Sequence, residues 1–170
     1  MKQLLLSCIA LLGLLPVTAK AGDYAKYYQT LPIQLKQATP PQIPDRTVNL
    51  KDFGAVGDGV TLCSEAFEKA IAQLSEQGGG RLLVPQGVWL TGPIVLKDNI
   101  ELHLDKNAII YFSPDKRLYV DTKRRSGRVL PCISADGKHD IAITGSGIID
   151  GNGQQWRPVK RGKASDVEWK

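Results

Sequence analysis

Residues 81–112 read RLLVPQGVWLTGPIVLKDNIELHLDKNAIIYF, and the fold turns on them. Five short β-type runs lie in this stretch: Arg81–Val84, Val88–Thr91, Ile94–Leu96, Ile100–Leu104 and Ala108–Phe112. Turn formers separate them, namely Pro85-Gln86-Gly87, Gly92-Pro93, Asp98-Asn99 and Asp105-Lys106-Asn107. Runs of three to five residues are too short to make stable hairpin sheets one at a time. Stacked coil on coil, they share one continuous apolar interior.

An antiparallel sandwich of short strands has the same composition, so the choice needs further signals. One is an internal echo. Asn99-Ile100-Glu101-Leu102-His103-Leu104 recurs as Asp140-Ile141-Ala142-Ile143-Thr144-Gly145, and Ala108-Ile109-Ile110 has a loose counterpart in Gly147-Ile148-Ile149. The 41 positions from Ile100 to Ile141 predict two coils of about 20 residues each, inside the range of solenoid repeats. The other signal is a helix placed ahead of the strands. Ser64 is a candidate N-cap with Glu65 in the first turn, Ala66, Phe67, Ala70, Ile71 and Leu74 share one face, and Gly78-Gly79-Gly80 ends the run. A solenoid exposes unpaired backbone at each end, and a helix lying across the first coil blocks edge-to-edge association there. The expectation is therefore an all-β, right-handed parallel β-helix with an N-terminal capping α-helix, truncated after its first few coils.

Upstream, Val48, Leu50 and Phe53 alternate as in a short strand, before Gly54, Gly57 and Asp58-Gly59. The stretch 22–46 holds Pro32, Pro40, Pro41 and Pro44 and suits an extended leader. Residues 1–21 begin with Lys2, continue with a mostly apolar run from Leu4 to Leu15 and end in Ala19-Lys20-Ala21. That pattern predicts a secretory signal cleaved after Ala21, too short to span a bilayer and giving no stable membrane anchor. The expected organisation is signal peptide 1–21, leader 22–46 and β-helix 47–170, in an exported chain that ends up periplasmic or extracellular.

Of the 22 basic and 17 acidic residues, cleavage would remove Lys2 and Lys20 and leave a small excess of basic charge. So mild an imbalance, in an exported chain, argues against a nucleic-acid partner. Two cysteines, Cys63 and Cys132, would remain, and spacing leaves a disulfide and two free thiols both open.

The ordered set Phe53-Gly54-Ala55-Val56-Gly57-Asp58-Gly59, the helix, Val84-Pro85-Gln86-Gly87, Leu90-Thr91-Gly92-Pro93-Ile94, Leu102-His103-Leu104, and Ile141 through Gly153 with Trp156 resembles the opening of the polygalacturonases, family twenty-eight of the glycoside hydrolases. The resemblance covers about residues 47–169. It implies a β-helix whose groove takes pectin or polygalacturonan, an anionic polysaccharide, and an inverting hydrolysis of the glycosidic bond. It also implies no cofactor and a monomer at full length. Inversion needs one carboxylic acid and one carboxylate spaced to admit a water. The family carries these in an Asn-Thr-Asp element and an Asp-Asp pair, followed by His-Gly and Arg-Ile-Lys elements. None of the four occurs in this sequence. No catalytic residue carries over, and the 170-residue chain alone is expected to be inactive. A non-catalytic glycan-binding or structural β-helix of the tailspike or adhesin type, and a pectin lyase or epimerase relative, stay open as alternatives.

Candidate ligand residues lie in the basic stretch Lys116, Arg117, Lys123, Arg124, Arg125 and Arg128. Guanidinium groups grip carboxylates through two parallel hydrogen bonds, so Arg117, Arg124, Arg125 and Arg128 are expected to bind substrate, with a merely solvated loop as the alternative. Trp156, just after a turn, is expected to stack on a sugar ring, whereas Trp89 in a strand is expected to pack. His103 and His139, the only histidines, have no zinc spacing, and Asp150-Gly151-Asn152-Gly153 lacks the ligands of a calcium loop. No metal site is expected.

Overall fold

The computed structural model describes residues 32, 33, 35, 36, 39–121, 129–157, 162 and 165–167. The expected signal segment with Ala21 and most of the leader lie outside these. The chain divides into two units, residues 1–40 and 41–170, and the architecture below is that of the second.

Among the described residues nine strands run in the order β1 (Thr47–Asn49), β2 (Gly80–Val84), β3 (Gly87–Thr91), β4 (Ile94–Val95), β5 (Ile100–Leu104), β6 (Ala108–Phe112), β7 (Ile133–Ser134), β8 (Ala142–Gly145) and β9 (Ile148–Asp150). They form three sheets, β1-β2-β5-β8, β3-β6-β9 and β4-β7. Every pairing in them is parallel. From β2 onward consecutive strands enter different sheets and the chain returns to the first one coil later, which is a parallel β-helix rather than a sandwich.

Because parallel pairing sets one residue beside one residue, side chains stack in columns. Leu82 lies beside Leu102 and then Ile143. Trp89 lies beside Ile110 and then Ile149. The inward members Leu82, Leu102, Trp89 and Ile110 are fully buried, while Ile143 is 49% and Ile149 39% exposed. The interior is thus sealed through β5 and β6 and half open at β8 and β9. Trp89 packs as expected, and its ring N–H donates to Pro85 O at 2.7 Å. A side chain at Gly57 would come within 2.9 Å of that ring, so the Phe-Gly-Ala-x-Gly-Asp-Gly element needs a glycine where it passes under the tryptophan.

The helix α1 (Ser64–Glu76) buries Ala66, Phe67, Ala70, Ile71 and Leu74 against a 3₁₀ turn (Leu50–Phe53), β2 and β4. Its end is a Schellman motif, Gly79 N–H to Leu74 O at 2.8 Å and Gly78 N–H to Ser75 O at 3.1 Å. Arg46 Nη1 adds bonds to Gln77 O and Gly79 O, both 2.8 Å, placing a cation at the negative end of the helix.

Three local expectations change. Leu50–Phe53 is a 3₁₀ turn, because Asn49 accepts from Lys51 N–H and starts it. The N-cap is Cys63, without a side-chain cap bond, and Ser64 is the first residue of the helix. Its hydroxyl instead accepts from Gly92 N–H at 2.7 Å, pinning the start of the helix to the β3–β4 corner. The 41-residue echo is one coil, not two: Arg81 sits beside Glu101, 20 residues on, but Glu101 sits beside Ala142, 41 on. The difference lies between β6 and β7, where residues 113–132 replace the two-residue corner Gly92-Pro93 of the preceding coil.

Gly145 has φ +96°, and a Cβ there would strike the Leu104 carbonyl of the coil beneath. Gly153 has open space around it. Gly145→Ala should therefore destabilise the fold by about 1–3 kcal/mol, with Gly153→Ala close to wild type in a denaturant melt. Equal melts for the two would contradict the stacking.

Candidate functional site

Two groups of polar side chains stand out among the described residues. The first lies on the outer face of the sheet β1-β2-β5-β8. Alternation turns Arg81, Glu101 and His103 outward, and the parallel register brings His103 beside Thr144. Glu101 is only 8% exposed, and both its oxygens are engaged. Arg81 Nε donates to Oε2 at 2.9 Å, and the Thr144 hydroxyl donates to Oε1. A hydroxyl has one proton to give, so the 2.6 Å contact between Thr144 Oγ1 and His103 Nδ1 requires the imidazole to donate from Nδ1. His103 Nε2 then faces Asp105 Oδ1 at 3.9 Å.

Burial pushes the Glu101 carboxyl up, but the bonds from Arg81 and Thr144, with the charges of Arg81 and His103, outweigh it and hold the group below its ordinary value. A carboxylate so fully partnered is suited to fastening three strands together rather than to exchanging protons with a substrate. The echo contained the signal for this ladder, since it aligns Glu101 with Ala142 and His103 with Thr144. The pairing with Arg81 came only with the coil length.

The second group sits where β6 ends. Asp115 starts a 3₁₀ turn (Lys116–Tyr119) by accepting from Arg117 N–H. The Arg117 guanidinium doubles back on the same carboxylate, Nε to Oδ1 at 2.9 Å and Nη2 to Oδ2 at 2.7 Å, and this holds the Asp115 carboxyl down at about 2. Arg117 remains 89% exposed in its side chain, but gripping an external carboxylate in the same fork means surrendering Asp115. Tyr119 is buried, and its hydroxyl donates to Ser113 O at 3.0 Å; burial pushes that phenol up to about 12.

Trp156 ends another 3₁₀ turn (Gly153–Trp156) that is anchored by Asn152. Asn152 is buried in the left-handed region at φ 50° and donates from Nδ2 to Phe112 O at 3.3 Å. The Trp156 ring meets Tyr119 edge-on, with centroids 4.8 Å apart, and Lys116 Nζ lies 5.9 Å from its centre. The structure thus brings Lys116 and Trp156 together, with Arg117 adjacent. Arg124, Arg125 and Arg128 lie outside the described residues. Sequence reading singled out Trp156 and the basic stretch separately, without the contact between them.

Cys63 and Cys132 are both free thiols, the first buried and the second half-buried. Burial pushes each of them up, away from the reactive thiolate.

Parallel coils closed at one end by an amphipathic helix define the class: a right-handed parallel β-helix. No protein-family model matches the chain. It is 36% identical over 124 residues to a probable polygalacturonase of Vitis vinifera, an alignment taking in 65% of this chain and 25% of that one. Among solved structures, the exopolygalacturonase of Thermotoga maritima is 55% identical with a TM-score of 0.60, over 66% of this chain and 26% of that one. The family 28 exopolygalacturonase of Yersinia enterocolitica is 32% identical with a TM-score of 0.56, over 64% and 21%. The chain spans about a quarter of the length of the relatives it matches. It is polygalacturonase-like, similar to polygalacturonases that include a family 28 exopolygalacturonase, as the motifs implied.

Arg81→Gln removes the strongest partner of Glu101 and leaves burial to dominate. In the wild type the folded carboxyl titrates below its unfolded value, so its contribution is present above the ordinary value of 4.5 and is lost as pH falls through the lower folded one. The variant should lose about 1–3 kcal/mol at pH 7, and the loss should shrink at acidic pH as the carboxyl is protonated below its lowered folded value. Denaturant unfolding at neutral and acidic pH checks this, and a pH-independent loss would contradict it.

Proposed function

We propose that this chain is the opening part of an exported enzyme that hydrolyses glycosidic bonds of polygalacturonan, with inversion. The observation that carries the reading is the match to polygalacturonases of plants and bacteria across the same coils, at up to 55% identity. A stack of parallel coils offers a long straight surface suited to an extended polymer, and the basic, aromatic turn after β6 suits an anionic one. In this reading residues 1–21 direct export, 22–46 form a leader, and Arg117, Arg124, Arg125, Arg128 and Trp156 contact the polysaccharide. Among the described residues no helix is long and apolar enough to cross a membrane.

The acid and base that inversion requires are not in residues 1–170, as the missing Asn-Thr-Asp and Asp-Asp elements imply. Two measurements test the proposal. Reading the frame past Lys170 should reveal both elements in further coils, and the protein that includes them should release reducing ends from polygalacturonate while residues 1–170 release none. A frame that closes without those aspartates, or an extended protein that leaves polygalacturonate intact, refutes hydrolysis and favours a binding or structural β-helix.

A further inference from the structure

Residues 42–46 cross the starts of four strands on their way into the first coil. Arg46 O accepts from Arg81 N–H at the level of β1 and β2, and Gly80 N–H and Asn99 N–H donate in turn to Asn99 O and His139 O. These bonds stack the corner ahead of the sheet β1-β2-β5-β8 from one end to the other. At the far level Gln42 N–H donates to Asp140 Oδ1 at 2.7 Å. Three strand spacings separate the β1 and β8 levels, about 14 Å. The four residue steps from Gln42 to Arg46 reach about 14 Å when extended. The segment therefore runs along the stack almost fully drawn out. Pro41 and Pro44 suit that shape, since each fixes its own φ and keeps the residue before it extended.

Asp140 makes its contact from a corner position that successive coils share. Asn99 and Asp140 stand two residues ahead of the paired Glu101 and Ala142, and both lie in the left-handed region, at φ 60° and 51°. Asn99 Nδ2 donates to Gly78 O of the coil beneath at 3.2 Å. An ionised aspartate has no proton to give, so at Asp140 the same side-chain position becomes an acceptor for residue 42. Its Oδ2 lies 2.9 Å from His139 Nδ1. His139 Nε2 is also 3.6 Å from Asp98 Oδ1, and Lys138 Nζ pairs with Asp98 Oδ2 at 3.1 Å. His139, Asp98 and Lys138 are thus the titratable groups around Asp140, with Asp45 and Arg46 on the crossing segment itself. The bond from Gln42 and the contact with His139 hold the Asp140 carboxyl below its ordinary 3.8. Its hold on the segment is therefore complete above that value and is lost as pH falls through the lower folded one.

We propose that residues 42–46 are an acid-releasable strap that ties the β8 coil to the first coil through the Gln42–Asp140 bond. Among the described residues β8 has a strand neighbour on one side only, β5, so a second tie matters more there than in β2 or β5. Releasing the strap lets β8 open ahead of the strands beneath it, and pH thereby sets how loose this end of the stack is. The inference concerns the fold and stands whether or not the protein hydrolyses polygalacturonan.

Hydrogen exchange on the full 170-residue chain, read amide by amide by NMR, tests it. At pH 7 the Gln42 amide should be protected. Its protection factor should fall about five- to tenfold as pH drops through the carboxylate range, the size of a weakened charge-assisted bond. Amides of β2, followed in the same sample, report global opening and should hold their protection. Asp140→Asn keeps an acceptor that acid cannot neutralise, so the fall should disappear. Asp140→Gly removes the acceptor while suiting the left-handed backbone; it should lose the Gln42 protection at pH 7 and speed exchange of the β8 amides about threefold or more. Gln42→Pro removes the donor and leaves Asp140 in place, so it should speed β8 by a similar factor, which a role of Asp140 confined to its own corner would not produce. If Asp140→Gly fails to fold, the Gln42→Pro comparison decides. A Gln42 amide that exchanges freely at pH 7, an acid dependence that persists in Asp140→Asn, or β8 exchange unchanged in Gln42→Pro overturns the proposal.

Discussion

One-to-one parallel pairing between successive coils is the constraint on which this structure rests. It leaves each strand with half its hydrogen bonds directed to the coil below and half to the coil above, so no coil is complete alone. Among the described residues β3 and β4 begin their sheets, and α1 packs on that first coil and buries five apolar side chains there. Pinning is needed at both ends of the helix for this to work. Ser64 bonds to the β3–β4 corner and Arg46 reaches back to the terminal carbonyls, so the lid is fastened to the stack it covers.

Much of this was legible in residue pattern. The runs Ile100–Leu104 and Ala108–Phe112 are β5 and β6 as read, and the helix buries the five residues its periodicity selected. Trp89, expected to pack because it lies in a strand, is fully buried. The miscount of coils has a plain physical origin. A solenoid fixes the strands but leaves the corners free in length, because corners lie outside the shared core. The 20-residue segment after β6 therefore doubled one coil without disturbing the register of its strands, and equal spacing was the wrong assumption.

The polar groups were less legible, for a related reason. Neighbours in a parallel stack are separated in sequence by one coil, so Arg81 and Glu101 become partners only when that coil is known to be 20 residues long. Lys116 and Trp156 are 40 positions apart and meet across the longer coil. Ser64 misled in the opposite sense. Its residue type favours a cap, yet it lies one position inside the helix behind Cys63, and its hydroxyl accepts from Gly92 N–H instead.

The outer ladder makes sense beside the inner columns. On its inner face β8 continues the column of Leu82 and Leu102 with Ile143. On its outer face β8 brings Thr144, whose hydroxyl gives its proton to Glu101 and accepts one from His103. Glu101 is in turn held from the other side by Arg81 on β2. The chain β2–β5–β8 is therefore tied on its outer face by a hydrogen-bonded network in which the central carboxylate is nearly buried, and such bonds are stronger than neutral ones. The coils are thus joined on both faces of the sheet, by apolar columns within and by the polar ladder without.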